Sequence, residues 1–349
     1  MKELFAKRLK SARLLSAMSQ DNLVEAIGAI VSKNAISKYE RGQMMPNSSV
    51  LIKLAKALNV KPDYFFRPLG AEISNIEFRK RSALGVKKTK AIKQKVAETV
   101  ERYLEIEDLL QIKSTFSNPI KNILISTVSD IDKAVNQLLK VWKLGLNALP
   151  NVIEILEEKE IKVIELDADL AFDGLSGWAD GVVPIIVVNK NFNIERKRFT
   201  ALHELGHLLL NFSENLTDKE IERLCHAFAS AMLIPYDTFI NELGSKKRKS
   251  ISLPELVSIK ETYGISIQAI MARARSLGVI DEYRFIAFRK YISSNREEKG
   301  LGQYQGKEHS DRFMQLIYRA AAEKIISLSK AANLSNEKLA VFRDQFIAL

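Results

Sequence analysis

The chain has 349 residues, 46% of them hydrophobic and 27% charged, which is enough for two or three domains with separate cores. No apolar run approaches the ~18 to 20 residues that span a bilayer. Residues 1–15 alternate charged and apolar side chains without a signal-type stretch, and a single cysteine, Cys225, excludes an internal disulfide framework. A cytoplasmic protein with no membrane partner is expected. The net charge of +11 is uneven: residues 1–95 hold 20 Lys/Arg against 7 Asp/Glu, and the remainder hold 33 against 35. All of the positive excess lies at the amino-terminal end, which points to a polyanion partner for that segment, nucleic acid above all.

Residues 1–66 read as a compact unit of about five short helices. Ser19 and Ser32 are N-cap residues, and Leu23, Ile27 and Gly28 stand where a helix-turn-helix buries its apolar face and turns on glycine. In the helix after Ser32, Ile36 and Tyr39 face the core, leaving Lys33, Asn34, Ser37 and Lys38 outward. These are side chains that reach base edges or phosphates. The stretch LIKLAKALNVKPDYFF closes the core. With Ser19-Gln20, Leu23, Ser32, the run from Ile36 to Gly42, Pro46, Leu51, Leu54-Ala55 and Asp63-Tyr64-Phe65, this segment resembles the XRE helix-turn-helix family of phage-repressor-like proteins. The resemblance implies DNA binding through residues 1–66, with Gln20 capping onto a phosphate and Lys33, Asn34 and Lys38 approaching the major groove. A homodimer is the common form of such domains. The turn from Gly28 to Ser32 is about two residues longer than usual, which bears on how the recognition helix is aimed.

Residues 67–112 read as a linker and a helix. Pro68, Gly70 and Gly85 mark the linker, and Ile92, Val96, Val100 and Leu104 give a helical period from about 89 to 112. Further helices are expected over about 130–145 and 153–161. The period then changes: KVIELD and the β-branched PIIVVNK flank the turn-rich FDGLSGWADG, as in a β-meander. Helices follow from 194 to the end. The basic run from Lys246 to Lys249 reads as a solvated loop.

The segment RFTALHELGHLLLNF is apolar on nearly every side and so should be a buried helix, yet it carries His203, Glu204 and His207. Two imidazoles four residues apart lie on one helical face and can chelate a single Zn²⁺, while the glutamate between them is placed to polarise a water. Burying these groups without partners would cost several kcal/mol. The chain has 4 His in all, and a chance His-Glu-x-x-His at this composition is expected on the order of a few times in a thousand. A third ligand is needed. A histidine six residues after His207 is excluded because Ser213 stands there, leaving Glu214, Asp218, Glu220 and Glu222. Thr217 to Glu220 fits a capping box that would occupy Glu220. Glu222 flanks the helical stripe beside Cys225 and Ala229, whose small side chains permit close approach, so Glu222 ranks first and Glu220 second.

The blocks FDGLSGWADG, IIVVN, ERKRFTALHELGHLLL and ERLCHAFASAMLIP, between Phe172 and Pro235, resemble the ImmA/IrrE family of metallopeptidases. The resemblance places the family's metal-binding acid on Glu222. His226 stands where that family usually has Asn or Asp, and is either an outer partner of the ligand carboxylate or a fourth ligand. Cys225 reads as a packing residue, Trp178 as a core or cleft-wall aromatic, and Tyr236 as a candidate oxyanion partner.

The expected architecture is α+β and mostly helical. It comprises a five-helix domain at 1–66, a linker and helix at 67–112, and a zincin-like peptidase domain at 113–245 with a small sheet and the HEXXH helix. A helical accessory region follows at 246–349, either a scaffold or a module for sensing or docking. The resemblances together imply a DNA-binding zinc endopeptidase in which Glu204 is the catalytic base. Its substrate would be a repressor or antitoxin-like protein, cleaved under a stress or phage-related signal. The alternative is a one-component regulator whose zincin-like domain senses without cutting.

Overall fold

The computed structural model describes residues 2–16, 18–66, 76–78, 86–112 and 115–347. Most of the linker expected at 67–88 lies outside them. The chain begins with α1 (Lys2–Leu15), α2 (Gln20–Ala26), α3 (Lys33–Glu40), α4 (Ser48–Ala57) and a 3-10 turn (Pro62–Phe66), then β1 (Ile76–Phe78) and α5 (Val86–Leu109). Next come β2 (Leu124–Ile125), α6 (Val128–Trp142), α7 (Val152–Glu158), β3 (Lys162–Leu166), β4 (Gly174–Ala179) and β5 (Val183–Asn189). α8 (Ile194–Leu209), β6 (Asn211–Phe212), α9 (Asp218–Leu233) and α10 (Tyr236–Leu243) follow. The rest is helical: α11 (Leu253–Tyr263), α12 (Ile267–Ser276), α13 (Glu282–Ile292), α14 (Arg312–Ala322), α15 (Leu328–Leu334) and α16 (Leu339–Gln345). The protein is thus α+β and mostly helical, as its periodicity predicts. Among the described residues no helix is long and apolar enough to cross a membrane.

The chain divides into two compact units. One contains residues 1–76, 80–113 and 313–349, and the other 77–79 and 114–312. In the first, Ser19 opens α2 with a reciprocal cap: its hydroxyl accepts from the Asn22 N–H, and the Asn22 side chain accepts from the Ser19 N–H. Ser32 caps α3 through the Ala35 N–H. The chain between them turns through left-handed Gly28 (φ +76°) and Ala29 (φ 53°). Phe5, Leu9, Leu23, Ile36, Leu54 and Phe65 are fully buried beneath these helices. α5 is joined to α1 by Gln94 donating to the Ser11 hydroxyl, which donates to Glu98 at 2.8 Å. Further along, α5 supplies Ile106 to a second core with Ile317, Ala320 and Phe342 of α14 and α16.

The second unit holds a sheet of order β1-β4-β5-β3, in which β4 is antiparallel and β3 parallel to β5. This is not the meander expected from the sequence. β5 is an inner strand, because Ile185 to Val188 are buried on both faces, whereas β3 buries alternate residues and takes an edge. The segment read as turn-rich itself contains β4. α8 packs across β4 and β5 and against α9. Two glycines set that spacing. A Cβ on Gly174 would stand 2.7 Å from the Thr200 methyl and 2.8 Å from the Val187 carbonyl oxygen. One on Gly206 would stand 3.4 Å from the Cys225 sulfur. An irregular segment after α13 is fastened to α8 by a fully buried Arg198–Glu308 pair (2.7 Å) and by the Tyr304 N–H on Glu195.

Candidate metal centre and recognition helix

Asn193 caps α8 by accepting from the Arg196 N–H, and the HELGH segment occupies the last turns of that helix. His203 and His207 lie one turn apart on its face toward α9. Thr217 opens α9, and its N–H and hydroxyl hold the Glu220 carboxylate at 2.8 and 2.7 Å. Glu220 is therefore spent on the cap, and Glu222, further along, meets the histidines. His203 Nε2 lies 3.2 Å from His207 Nε2 and 3.3 Å from Glu222 Oε2, and His207 Nε2 lies 3.5 Å from Glu222 Oε1. Among the described residues these three form the group of His, Cys, Asp and Glu side chains close enough to hold one ion. Donors around a tetrahedral zinc with bonds of about 2.0 to 2.1 Å stand about 3.4 Å from one another, so the triangle has the size of one face of such a shell. Two neutral imidazole nitrogens and a carboxylate are also a donor set suited to zinc.

Glu204 accepts a hydrogen bond from the Ser176 hydroxyl of β4 at 2.7 Å. Burial pushes its carboxyl upward, opposed by His203 and by the Ser176 hydrogen bond. His226 stands outside the three-residue group. Its ring lies 4.4 Å from that of His203 and 5.7 Å from Phe199. Desolvation of its ring against its neighbours pulls its pKa down to about 4, with the His203 imidazole adding to the effect. Cys225 is buried with its sulfur 3.4 Å from His207 Nδ1, while His203 Nδ1 is buried with no hydrogen-bond partner. Trp178 packs edge-on against Phe116, and Tyr236 is an exposed residue at the start of α10. Ser176 received no role in the sequence reading. Its signal was the two-residue period of a strand, which puts it on the face that Gly174 turns toward Glu204.

On α3, Ile36 and Tyr39 are buried, Lys33, Asn34 and Lys38 are exposed and Ser37 is half-buried, in the pattern read from the sequence. Lys33 pairs with Asp21 at 2.7 Å. Gln20 donates to Glu40 at 2.8 Å, and Arg13 grips the same carboxylate from the other side. Gln20 is thus engaged within the domain in this structure.

Residues 156–275 match the family described as the IrrE N-terminal-like domain, and residues 9–65 match the helix-turn-helix family. The radiation response metalloprotease IrrE of Deinococcus radiodurans is 35% identical across 19% of this chain and 25% of that protein. An HTH-type transcriptional regulator of Sinorhizobium fredii is 36% identical across 22% of this chain and 50% of its own length. A transcriptional regulator from the ATPase CF(0) region of Rhodospirillum rubrum is 41% identical, covering 18% and 56%. The chain thus spans from a quarter to just over half the length of these relatives. No solved structure matches it. It carries a helix-turn-helix domain followed by an IrrE-like, metallopeptidase-type domain.

Proposed function

We propose that this chain is a DNA-binding, zinc-dependent endopeptidase that regulates transcription by limited proteolysis of a repressor or antitoxin-like partner under stress or phage-related signals. The observation that carries this reading is the convergence of His203, His207 and Glu222 within 3.5 Å beside the hydrogen-bonded carboxylate of Glu204. His203, His207 and Glu222 would hold the zinc. A zinc ion there supplies Lewis acidity, which polarises a peptide carbonyl and acidifies water. Glu204 accepts the proton of the attacking water and returns it to the leaving nitrogen as the peptide bond breaks. Ser176 keeps the Glu204 carboxylate aimed by occupying Oε2, and His226 crowds the His203 ring from outside. The helix-turn-helix domain would hold a homodimer on DNA through Lys33, Asn34, Ser37 and Lys38, with Gln20 at a phosphate. Tethering at the operator raises the local concentration of enzyme at a DNA-bound substrate.

Zinc analysis of the wild type and Glu204→Gln, with a cleavage assay on the protein encoded beside it, tests the reading. Both chains should bind zinc and only the wild type should cut. If both bind zinc, regulate the same DNA identically and leave every neighbouring protein intact, the peptidase fails and a sensor domain is left.

A further inference from the structure

Most arginines of the second unit are matched. Arg198, Arg248, Arg273, Arg275, Arg284 and Arg312 each meet a carboxylate. Arg223 on α9, Arg289 on α13 and Arg296 just beyond α13 do not: none of these guanidinium groups makes a hydrogen bond or ion pair among the described residues, and Arg289 and Arg296 stand close together. Arg289 and Arg296 line one depression of 250 Å³ along α13 and the residues after it, with Gln268 of α12 at its rim. Its apolar lining is the edges of Phe285, Phe288 and Ile292, core residues that are each less than a tenth exposed. At its rim the Gln268 amide N–H₂ donates to the Arg296 carbonyl at 2.8 Å and to Glu298.

We propose that this depression binds a small organic anion with an apolar body, an aromatic carboxylate in chemical class. Two unmatched guanidinium forks favour a planar oxyanion, which they can grip through paired N–H donors. The phenyl and isoleucine lining rewards a flat or branched hydrocarbon body, which an inorganic ion lacks. A cation is repelled by the same two groups, and a neutral hydrocarbon leaves them unsatisfied. The volume lies just below the usual range for drug-sized ligands, about 300 to 1,000 Å³, so a compact acid fits better than a nucleotide. The position also matters. Gln268 sits on α12, and α12 packs on α9, the helix that carries Glu222. An occupant there has a packed route to the metal centre, but its binding does not depend on that centre being a peptidase.

The test is a titration of the full chain with benzoate, followed through the arginine side-chain Nε–H signals in heteronuclear NMR. Acetate supplies the charge without the body, and benzyl alcohol the body without the charge. Benzoate should shift Arg289 and Arg296 saturably, with neither control matching it. Arg289→Gln or Arg296→Gln should weaken binding about tenfold or more, the loss typical of one charged hydrogen bond. Both positions are exposed, so unchanged thermal melting of the variants will show that the fold is intact. The proposal is overturned if benzoate produces no saturable shift, if acetate produces the same response, or if both variants bind benzoate as the wild type does. Zinc content and proteolysis are measured separately, so failure here leaves the peptidase reading standing.

Discussion

The sulfur of Cys225 lies 3.4 Å from Nδ1 of His207, while the equivalent nitrogen of His203 is buried without a partner. One imidazole of the pair is tethered through its far nitrogen and the other is not. A partner at that nitrogen fixes the tautomer that presents Nε2 to a metal, and its loss typically costs 10- to 100-fold in affinity. Cys225→Ala should therefore weaken zinc binding by about tenfold, at the low end of that range because sulfur is a weak acceptor. Cys225→Ser, which restores an acceptor, should stay close to the wild type. Chelator competition measures all three. Equal affinities across the set would mean that the thiol only fills space against Gly206.

Arg198 and Glu308 form a pair 2.7 Å apart with both side chains fully buried, and they bind the segment after α13 to the helix that carries HELGH. Breaking one side of such a pair leaves an uncompensated charge in the interior, at a cost of about 3 to 5 kcal/mol. Arg198→Met should lower stability by that amount in urea melts. Adding Glu308→Gln to it should recover part of the loss, because the stranded charge is then gone. If the double variant is no more stable than the single one, packing around Arg198 and Tyr304 outweighs the charge.

The features readable in advance were those with a local physical signature. Ser19, Ser32 and Thr217 announce helix starts through their own hydroxyls, and the His203–His207 spacing carries the helical period in itself. Glu222 was reachable because the cap of α9 accounts for Glu220. Long-range choices were not legible. β5 lies inside its sheet because both its faces find cover, and that depends on α8 and on β3 pairing parallel to β5 on the side away from β4. The same holds for Ser176, which acquires a role only when β4 is laid against α8. The buried partner of Arg198 lies 110 residues away, and no periodicity links the two.

The basic run from Lys246 to Lys249 forms an exposed loop, and within it Arg248 grips Glu255 at 2.7 Å. Hydrogen bonds from Arg248, and then from the Ser252 N–H and hydroxyl of the α11 cap, hold the Glu255 carboxyl down to about 2, against an ordinary value of 4.5. A depressed carboxyl adds stability that is fully present above its unfolded pKa and is lost as pH falls through the folded value. The side chain is 38% exposed, so solvent screening limits the contribution to about 1 kcal/mol. Glu255→Gln should therefore be less stable than the wild type at neutral pH. The gap should close between pH 4.5 and about 2. A constant difference across that window would assign the effect to the neutral cap geometry.

On the recognition helix the charges are unequal partners for DNA. Lys33 already faces Asp21 at 2.7 Å, and Gln20 is engaged by Glu40, which Arg13 also holds. Lys38 is exposed and has no such pairing among the described residues. A lysine that neutralises a phosphate releases a counterion, so its removal lowers affinity across all sequences and reduces the salt slope by about 1. Lys38→Ala should show that pattern in fluorescence anisotropy with DNA from the region upstream of its own coding sequence. Lys33→Ala should have the smaller effect, because binding through Lys33 must first compete with Asp21. Should Lys38→Ala leave the slope unaltered while Lys33→Ala lowers it, the lengthened turn from Gly28 to Ser32 has aimed the opposite end of α3 at the backbone.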